Sequence, residues 1–285
     1  MPVVLTVGSL HYDIMVEADH LPRRDETAIG TRWYPKFGGK GGNQAVAAAK
    51  AGAVSRMAGA IGDDGFGDHL RAHLRTSGVQ DQFVVTLPGA ASGMSVAIQD
   101  PSGDYAATIV SGANLLISPD AVAQDALWQD VGLLILQNEV PEAINIAAVQ
   151  GARARGIPIL LNAAPYRPLS TELCALVDIL VVNAVEATMM GTGPVTSLAT
   201  ASDAAQQLSA RFKSVIVTAG AEGLAAFGTD RTLFVLPAEP VQVVSSHGAG
   251  DSFIGTLATQ LVAGSPLQAA CQAASAAAAR HVAGR

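Results

Sequence analysis

Short aliphatic runs alternate with longer stretches of helical spacing over most of this 285-residue chain. Residues Val3–Val7, 132–136, 158–161, 179–182 and Ser214–Thr218 are apolar at nearly every position, the pattern of strands buried on both faces. Residues 41–51, 142–155 and 202–212 instead repeat apolar positions at the three-to-four-residue spacing of amphipathic helices. This alternation predicts an α/β fold: a mostly parallel central sheet with right-handed crossovers and helices on both faces. Ligands in such folds bind beyond the carboxyl ends of the strands, so the loops that follow strands are where chemistry is expected.

Two stretches break the rhythm. Residues 13–34 and 92–111 hold strand-like runs without helix partners, and the second, 93–98 and Tyr105–Val110 about Pro101-Ser102-Gly103, has the pattern of a hairpin. Paired with each other, the two excursions make a small β-sheet lid over a cleft. Otherwise the second is an edge hairpin of the main sheet, and the pattern alone admits both. With a lid, the chain divides into a core of residues 1–12, 35–91 and 112–285 and a lid of 13–34 and 92–111. From Asp251 onward the pattern is helical, as residues 253–262 and Leu267–Val282 on either side of a Gly264-Ser265-Pro266 break. Without repeats or a Pro/Gly/Ser-rich linker, a single interdependent unit is expected.

Composition narrows the class. With 49% hydrophobic and 14% charged residues the chain is globular, and a formal net charge of −7 excludes a broad nucleic-acid or anionic-membrane surface. A local anion site stays open, because backbone amides at a helix start bind phosphate without net positive charge. Cys174 and Cys271 stand far apart with no metal spacing, as buried thiols in a reducing compartment do. The first residues lack a basic segment and a cleavage site, and no apolar run is long enough for a bilayer; the cytoplasm is the expected location.

The sharpest candidate for chemistry is Ser246-His247-Gly248-Ala249-Gly250-Asp251-Ser252-Phe253, which follows a strand-like run at 241–244 and opens a helix. Its glycines permit a tight turn and close approach of a ligand to the backbone. Unpaired amides of the first turn and the positive end of the helix dipole then suit a phosphoryl group, and Asp251 suits the proton of an attacking hydroxyl. The competing reading is a plain helix cap. GxxxxGK[ST] occurs nowhere, so this is no Walker A loop. A second segment, Phe37-Gly38-Gly39-Lys40-Gly41-Gly42-Asn43-Gln44, offers bare backbone with Lys40 and Asn43 as donors to a polyol, or else a tight turn with an exposed lysine.

Together these two segments resemble the signatures of the ribokinase (PfkB) family of carbohydrate kinases, and nearest its ribokinases. Further matches run in family order: Gly8-Ser9-Leu10-His11-Tyr12-Asp13, Gly112-Ala113-Asn114, Gln137-Asn138-Glu139-Val140-Pro141, Asn162-Ala163-Ala164-Pro165, Asn183-Ala184-Val185-Glu186 and Thr218-Ala219-Gly220-Ala221-Glu222-Gly223. The resemblance spans essentially the whole chain. It implies a ribokinase-like fold with a β-sheet lid, often used for dimerisation, and ATP-dependent phosphorylation of a small sugar. Asp251 would be the base, and the backbone of Gly248, Ala249, Gly250 and Asp251 the anion hole. His11, Asp13, Gly38, Gly39, Lys40, Asn43 and Glu139 would line the sugar pocket. Asn183, Thr218, Gly220, Gly223, His247 and Ser275 would border the nucleotide, and Asn183 with Glu186 would help hold Mg²⁺, through water. Without the resemblance, that last pair reads as a helix cap and a solvated acid.

Three departures bear on specificity. Ribokinases typically have Asn where His11 stands, which bears on whether ribose is the acceptor. The family usually has Asp-Thr where this chain has Ser245-Ser246, and that Asp contributes to an activating monovalent-cation site. The sequence ends at Gly284-Arg285, about where the family adds a loop completing that site, so a weak or absent potassium requirement is expected. His69 and His73 stand at helical spacing but lack a third ligand nearby, which argues against a metal. Beside the sugar kinase, a nucleoside kinase of the adenosine or pseudouridine type uses the same chemistry. A non-catalytic sugar- or nucleotide-binding regulator is a different class, and one with no use for a base at 251.

Overall fold

A computed structural model describes residues 2–102 and 105–284; Gly103, where part of the hairpin turn is expected, and the terminal Arg285 lie outside the described residues. Chain order begins with β1 (Val3–Val7), β2 (His11–Ala18), β3 (Gly30–Gly38), α1 (Lys40–Lys50), β4 (Val54–Gly62), α2 (Gly65–Thr76), β5 (Gln80–Leu87), β6 (Met94–Gln99) and β7 (Tyr105–Val110). It continues with β8 (Val131–Leu136), α3 (Glu142–Arg153), β9 (Ile159–Asn162), α4 (Thr171–Leu176), β10 (Ile179–Asn183), α5 (Ala184–Met189), α6 (Leu198–Leu208), β11 (Ser214–Thr218), β12 (Gly223–Phe227), β13 (Leu233–Pro237), α7 (Ala249–Val262) and α8 (Leu267–Val282).

The main sheet has nine strands in the order β13-β12-β11-β10-β9-β8-β1-β4-β5, parallel except for β12 and β13 at one edge. Alternate residues of the central strands feed two different cores. Val3, Leu5 and Val7 face one helical layer, while Val4 packs with Leu133 and Ile135 against Phe253, Leu257 and Cys271 of α7 and α8. Both cysteines are buried free thiols, and burial pushes Cys271 up to about 12. Strand order reverses between β8 and β1, which opens a crevice at their carboxyl ends.

The second sheet, β3-β2-β6-β7, pairs the two excursions, with β2 and β6 parallel and the outer pairs antiparallel. Tyr12 on β2 stacks on Phe66 of α2 at 4.3 Å, and Phe37 on β3 stacks on His73 at 4.2 Å. Both spaced histidines pack against aromatic rings of this sheet, His73 on Phe37 and His69 edge-on to Tyr12. Among the described residues, no helix is long and apolar enough to cross a membrane.

Two expectations need correction. Residues 241–244 form no strand: Val243 and Val244 are 66% and 72% exposed, and the amides of Val244 and Ser245 both donate to the Val282 carbonyl at the end of α8. The edge strand of this region is β13, and Glu239-Pro240 follows it, where proline has no amide to continue a ladder. The helix expected at 202–212 begins earlier, at Leu198, because Ser197 and Thr200 form a reciprocal capping box.

α1 crosses α7 closely at Gly255. A Cβ there would lie 2.5 Å from both Ala47 Cβ and Ala48 N. Gly255→Ala therefore tests whether this crossing is tight. Helix propensity alone would stabilise the variant by about 1 kcal/mol, whereas the clash is expected to destabilise it by about 1–3 kcal/mol. Urea unfolding with a midpoint at or above the parent's would refute the close approach.

Candidate active site

The site lies beyond the carboxyl ends of the parallel strands, where two helices begin. At the start of α1, Gly39 (φ 83°) lies so close to the β1–β2 connection that a Cβ would meet His11 N at 2.7 Å. The first amides of this helix are occupied: Lys40 N–H donates to Glu139 Oε2 (2.8 Å) and Gly42 N–H to the Ser9 carbonyl (2.9 Å). Ser9 Oγ also donates to Glu139 Oε2 (2.5 Å).

The start of α7 is the opposite case. Gly248 is its N-cap in the left-handed region (φ 82°), with no side-chain cap. Ala249 N–H donates to the Ser246 carbonyl, but the amides of Gly248, Gly250 and Asp251 have no partner among the described residues. Nothing would obstruct a Cβ at Gly250 within 4 Å, so this turn faces open space. Three unpaired N–H groups at a positive helix end form an anion cradle.

Asp251 sits beside the cradle and is 8% exposed. Its Oδ1 accepts from Gln44 Nε2 (2.9 Å) and its Oδ2 from Asn43 Nδ2 (3.1 Å), both on α1. Burial raises its carboxyl above the ordinary range and Glu139 adds to this, against the pull of Lys40, Gln44 and Asn43. The residue lies between two cavities. One, about 240 Å³, is lined by Lys40, Asn183, Glu186, Thr218, Gly248 and Gly250. The other, about 890 Å³, runs along α1, α7 and α8 past Asn43, His247 and Ser252.

On β2, His11 and Asp13 are buried on the same face. Asp13 Oδ1 accepts from Ser95 Oγ (2.5 Å), and Oδ2 lies against Gly38, where a Cβ would come within 1.9 Å of it. His11 Nε2 is buried without a hydrogen-bond partner among the described residues. Asn183 and Glu186 form a capping box: Glu186 N–H donates to Asn183 Oδ1 (2.8 Å), and Asn183 N–H to Glu186 Oε2 (2.9 Å). Burial raises the Glu186 carboxyl, against the pull of the Asn183 amide and Lys40.

The structure thus brings Lys40, Asn183, Glu186, Thr218, Gly248, Gly250 and Asp251 to one cavity. Gly220 and Gly223 form the turn just past Thr218, while Ser275, on α8, lines neither cavity. Sequence reasoning passed over Gln44, Ser9 and Ser95, the partners of Asp251, Glu139 and Asp13. Gln44 carried a signal, a polar residue on a helix face otherwise made of Gly, Ala and Val. Ser95 had none, because its pairing with Asp13 depends on strand register.

Known proteins resemble this chain over nearly its whole length. The model of the pfkB family carbohydrate kinases matches residues 1–283. The ribokinase of Bacillus subtilis is 33% identical over 281 residues, covering 98% of this chain and 92% of the relative. A deoxyribokinase of Salmonella typhi is 31% identical over 276 residues, covering 95% and 89%. The solved structure of Arabidopsis thaliana ribokinase complexed with ribose and ATP superposes with a TM-score of 0.90 at 29% identity, covering 99% of this chain and 92% of that one. The chain belongs to the pfkB family of carbohydrate kinases and is an ATP-dependent carbohydrate kinase.

Proposed function

We propose that this kinase transfers the terminal phosphoryl group of ATP to a hydroxymethyl or hydroxyl oxygen of a small sugar, with D-ribose the first candidate acceptor. The observation that carries this reading is the position of Asp251, a buried carboxylate of raised basicity beside three unpaired amides and between two cavities. Asp251 takes the proton of the attacking hydroxyl as the new O–P bond forms. The amides of Gly248, Gly250 and Asp251 stabilise the charge on the moving phosphoryl group, with Ala249 completing the turn.

The acceptor is held by His11, Asp13, Gly38, Gly39, Lys40, Asn43 and Glu139. The spare capacity of these side chains supports the assignment: Glu139 Oε1, Asn43 Oδ1 and His11 Nε2 have no partner among the described residues. Asn183, Thr218, Gly220, Gly223 and His247 border the nucleotide. Mg²⁺ fits the donors at Asn183 and Glu186, oxygen atoms of which one carboxylate oxygen stays unbonded. That ion would neutralise the phosphates. A homodimer through the second sheet is supported by its exposed apolar side chains Trp33 (65%) and Ile109 (59%), with Ile29 (86%) just before β3.

The direct test is ADP release from MgATP with a panel of ribose, 2-deoxyribose, hexoses and nucleosides. Turnover on a nucleoside alone would replace the sugar reading with the nucleoside one. The absence of turnover on every acceptor would leave a binding regulator. Asp251→Asn is expected to lower kcat by about 10²–10⁴-fold with ATP affinity nearly unchanged; comparable turnover would remove Asp251 from the base role.

The same variant has a stability signature. Because burial raises the folded-state pKa of Asp251, ionisation costs stability once pH passes the unfolded value, near about 4. Asparagine carries no such cost, and Gln44, whose Oε1 is unpartnered, can turn its amide to accept from it. Asp251→Asn should therefore melt higher than the parent at neutral pH, with the difference shrinking as pH falls toward the unfolded pKa. A difference that grows on acidification would contradict this. For the dimer, Trp33→Asp should sediment as a monomer where the parent sediments as a dimer.

A further inference from the structure

The last turn of α8 is hydrogen-bonded to the segment that leads into the cradle. The amides of Val244 and Ser245 donate to the Val282 carbonyl (2.9 and 3.3 Å), and His281 Nε2 lies 2.9 Å from the His247 carbonyl oxygen. A carbonyl oxygen only accepts, so Nε2 of His281 carries a proton. The peptide linking His247 to Gly248 is planar and trans, since Ala164-Pro165 is the one cis bond among the described residues. In a trans peptide the C=O and N–H point in opposite directions. Fixing the His247 carbonyl toward His281 therefore aims the Gly248 N–H the other way. That N–H is one of the three unpaired cradle amides. His281 also lies on the side where a side chain at Gly248 would stand, since a Cβ there would lie 3.1 Å from His281 Nε2.

We propose that His281 is a positioning residue for phosphoryl transfer: its Nε2–H holds the His247 carbonyl and so orients the Gly248 amide toward the transferred phosphoryl group. The proposal rests on the reading of the cradle given above. It also supplies what the Ser245-Ser246 pair does not. These residues bring hydroxyls and no carboxylate to the turn, and the His247 carbonyl is already occupied by an imidazole. The turn is then ordered without a monovalent ion.

The test joins kinetics to a measurement that needs no turnover. His281→Ala should lower kcat with MgATP by about tenfold to a hundredfold, less than the loss of a whole oxyanion donor, with the acceptor KM nearly unchanged. His281→Gln, whose Nε2–H reaches a similar point, should restore most of the rate, and free imidazole should restore part of it to His281→Ala. The parent should turn over equally in choline and in potassium buffers. In ¹⁵N spectra of the unmodified protein, His281 should show a protonated Nε2 at neutral pH. A His281→Ala rate within twofold of the parent, equal impairment of the Gln and Ala variants, strong activation of the parent by potassium, or an Nδ1–H tautomer would each overturn the proposal. If the parent turns over no acceptor, the kinase reading fails, while the ¹⁵N signal still decides the His281 assignment.

Discussion

The site depends on one buried carboxylate held between two helices. Asp251 leaves water because Asn43 and Gln44 replace its hydration, and they reach it because α1 and α7 pack closely where Gly255 carries no side chain against Ala47 and Ala48. A carboxylate so placed is satisfied yet remains more basic than one in water, since two neutral amide donors compensate burial incompletely. The same contact ties the glycine-rich segment to the anion-cradle segment, although 207 residues separate Gln44 from Asp251. Neither segment makes the site alone.

Two helix starts meet in this crevice, and their electrostatics differ. Both concentrate positive backbone potential at one point. At α1 that potential is spent within the protein, on Glu139 and Ser9, which fixes the glycine turn and leaves only part of Glu139 for a ligand. At α7 the Ala249 amide alone is answered, by the Ser246 carbonyl, and the amides of Gly248, Gly250 and Asp251 have no partner among the described residues. An anion entering the crevice is therefore drawn to the α7 turn, next to Asp251. Lys40 adds its charge from the first position of α1 into the smaller cavity. This asymmetry gives the crevice a direction, and it follows from which residues carry oxygen acceptors near each turn.

Much of this was legible in the chain because it is local. Buried parallel strands announce themselves as unbroken aliphatic runs, and a glycine turn opening a helix is a short-range pattern, so β1, β8, β9, β10, β11, the turn before α7 and α8 could be read directly, while β4 and β5 were not. Residues 241–244 failed for an instructive reason. Their aliphatic content satisfies the strand pattern, but a strand also needs a ladder partner, and here the amides turn to the end of α8. Ser95 and Gln44 were missed because their partners lie across register or across a helix crossing, which no periodicity encodes. β12 and β13 likewise add an antiparallel edge that the strand–helix alternation gave no reason to expect.

Asn183 and Glu186 show that a structural and a chemical reading of one motif need not compete. The capping box is real, since each backbone amide is answered by the other residue's oxygen. It uses one oxygen of Glu186 and the side-chain carbonyl of Asn183, and it holds the carboxylate at the wall of the cavity that Gly250 and Lys40 also line. A glutamate free to rotate would sample water; this one is fixed at both ends of its side chain. Burial raises its pKa, meaning that the charged form lacks full compensation from the protein. A cation in the cavity would supply that compensation. In the magnesium reading proposed above, the cap would be what makes the residue rigid enough to serve as a ligand, and one helix-start spacing would meet both roles.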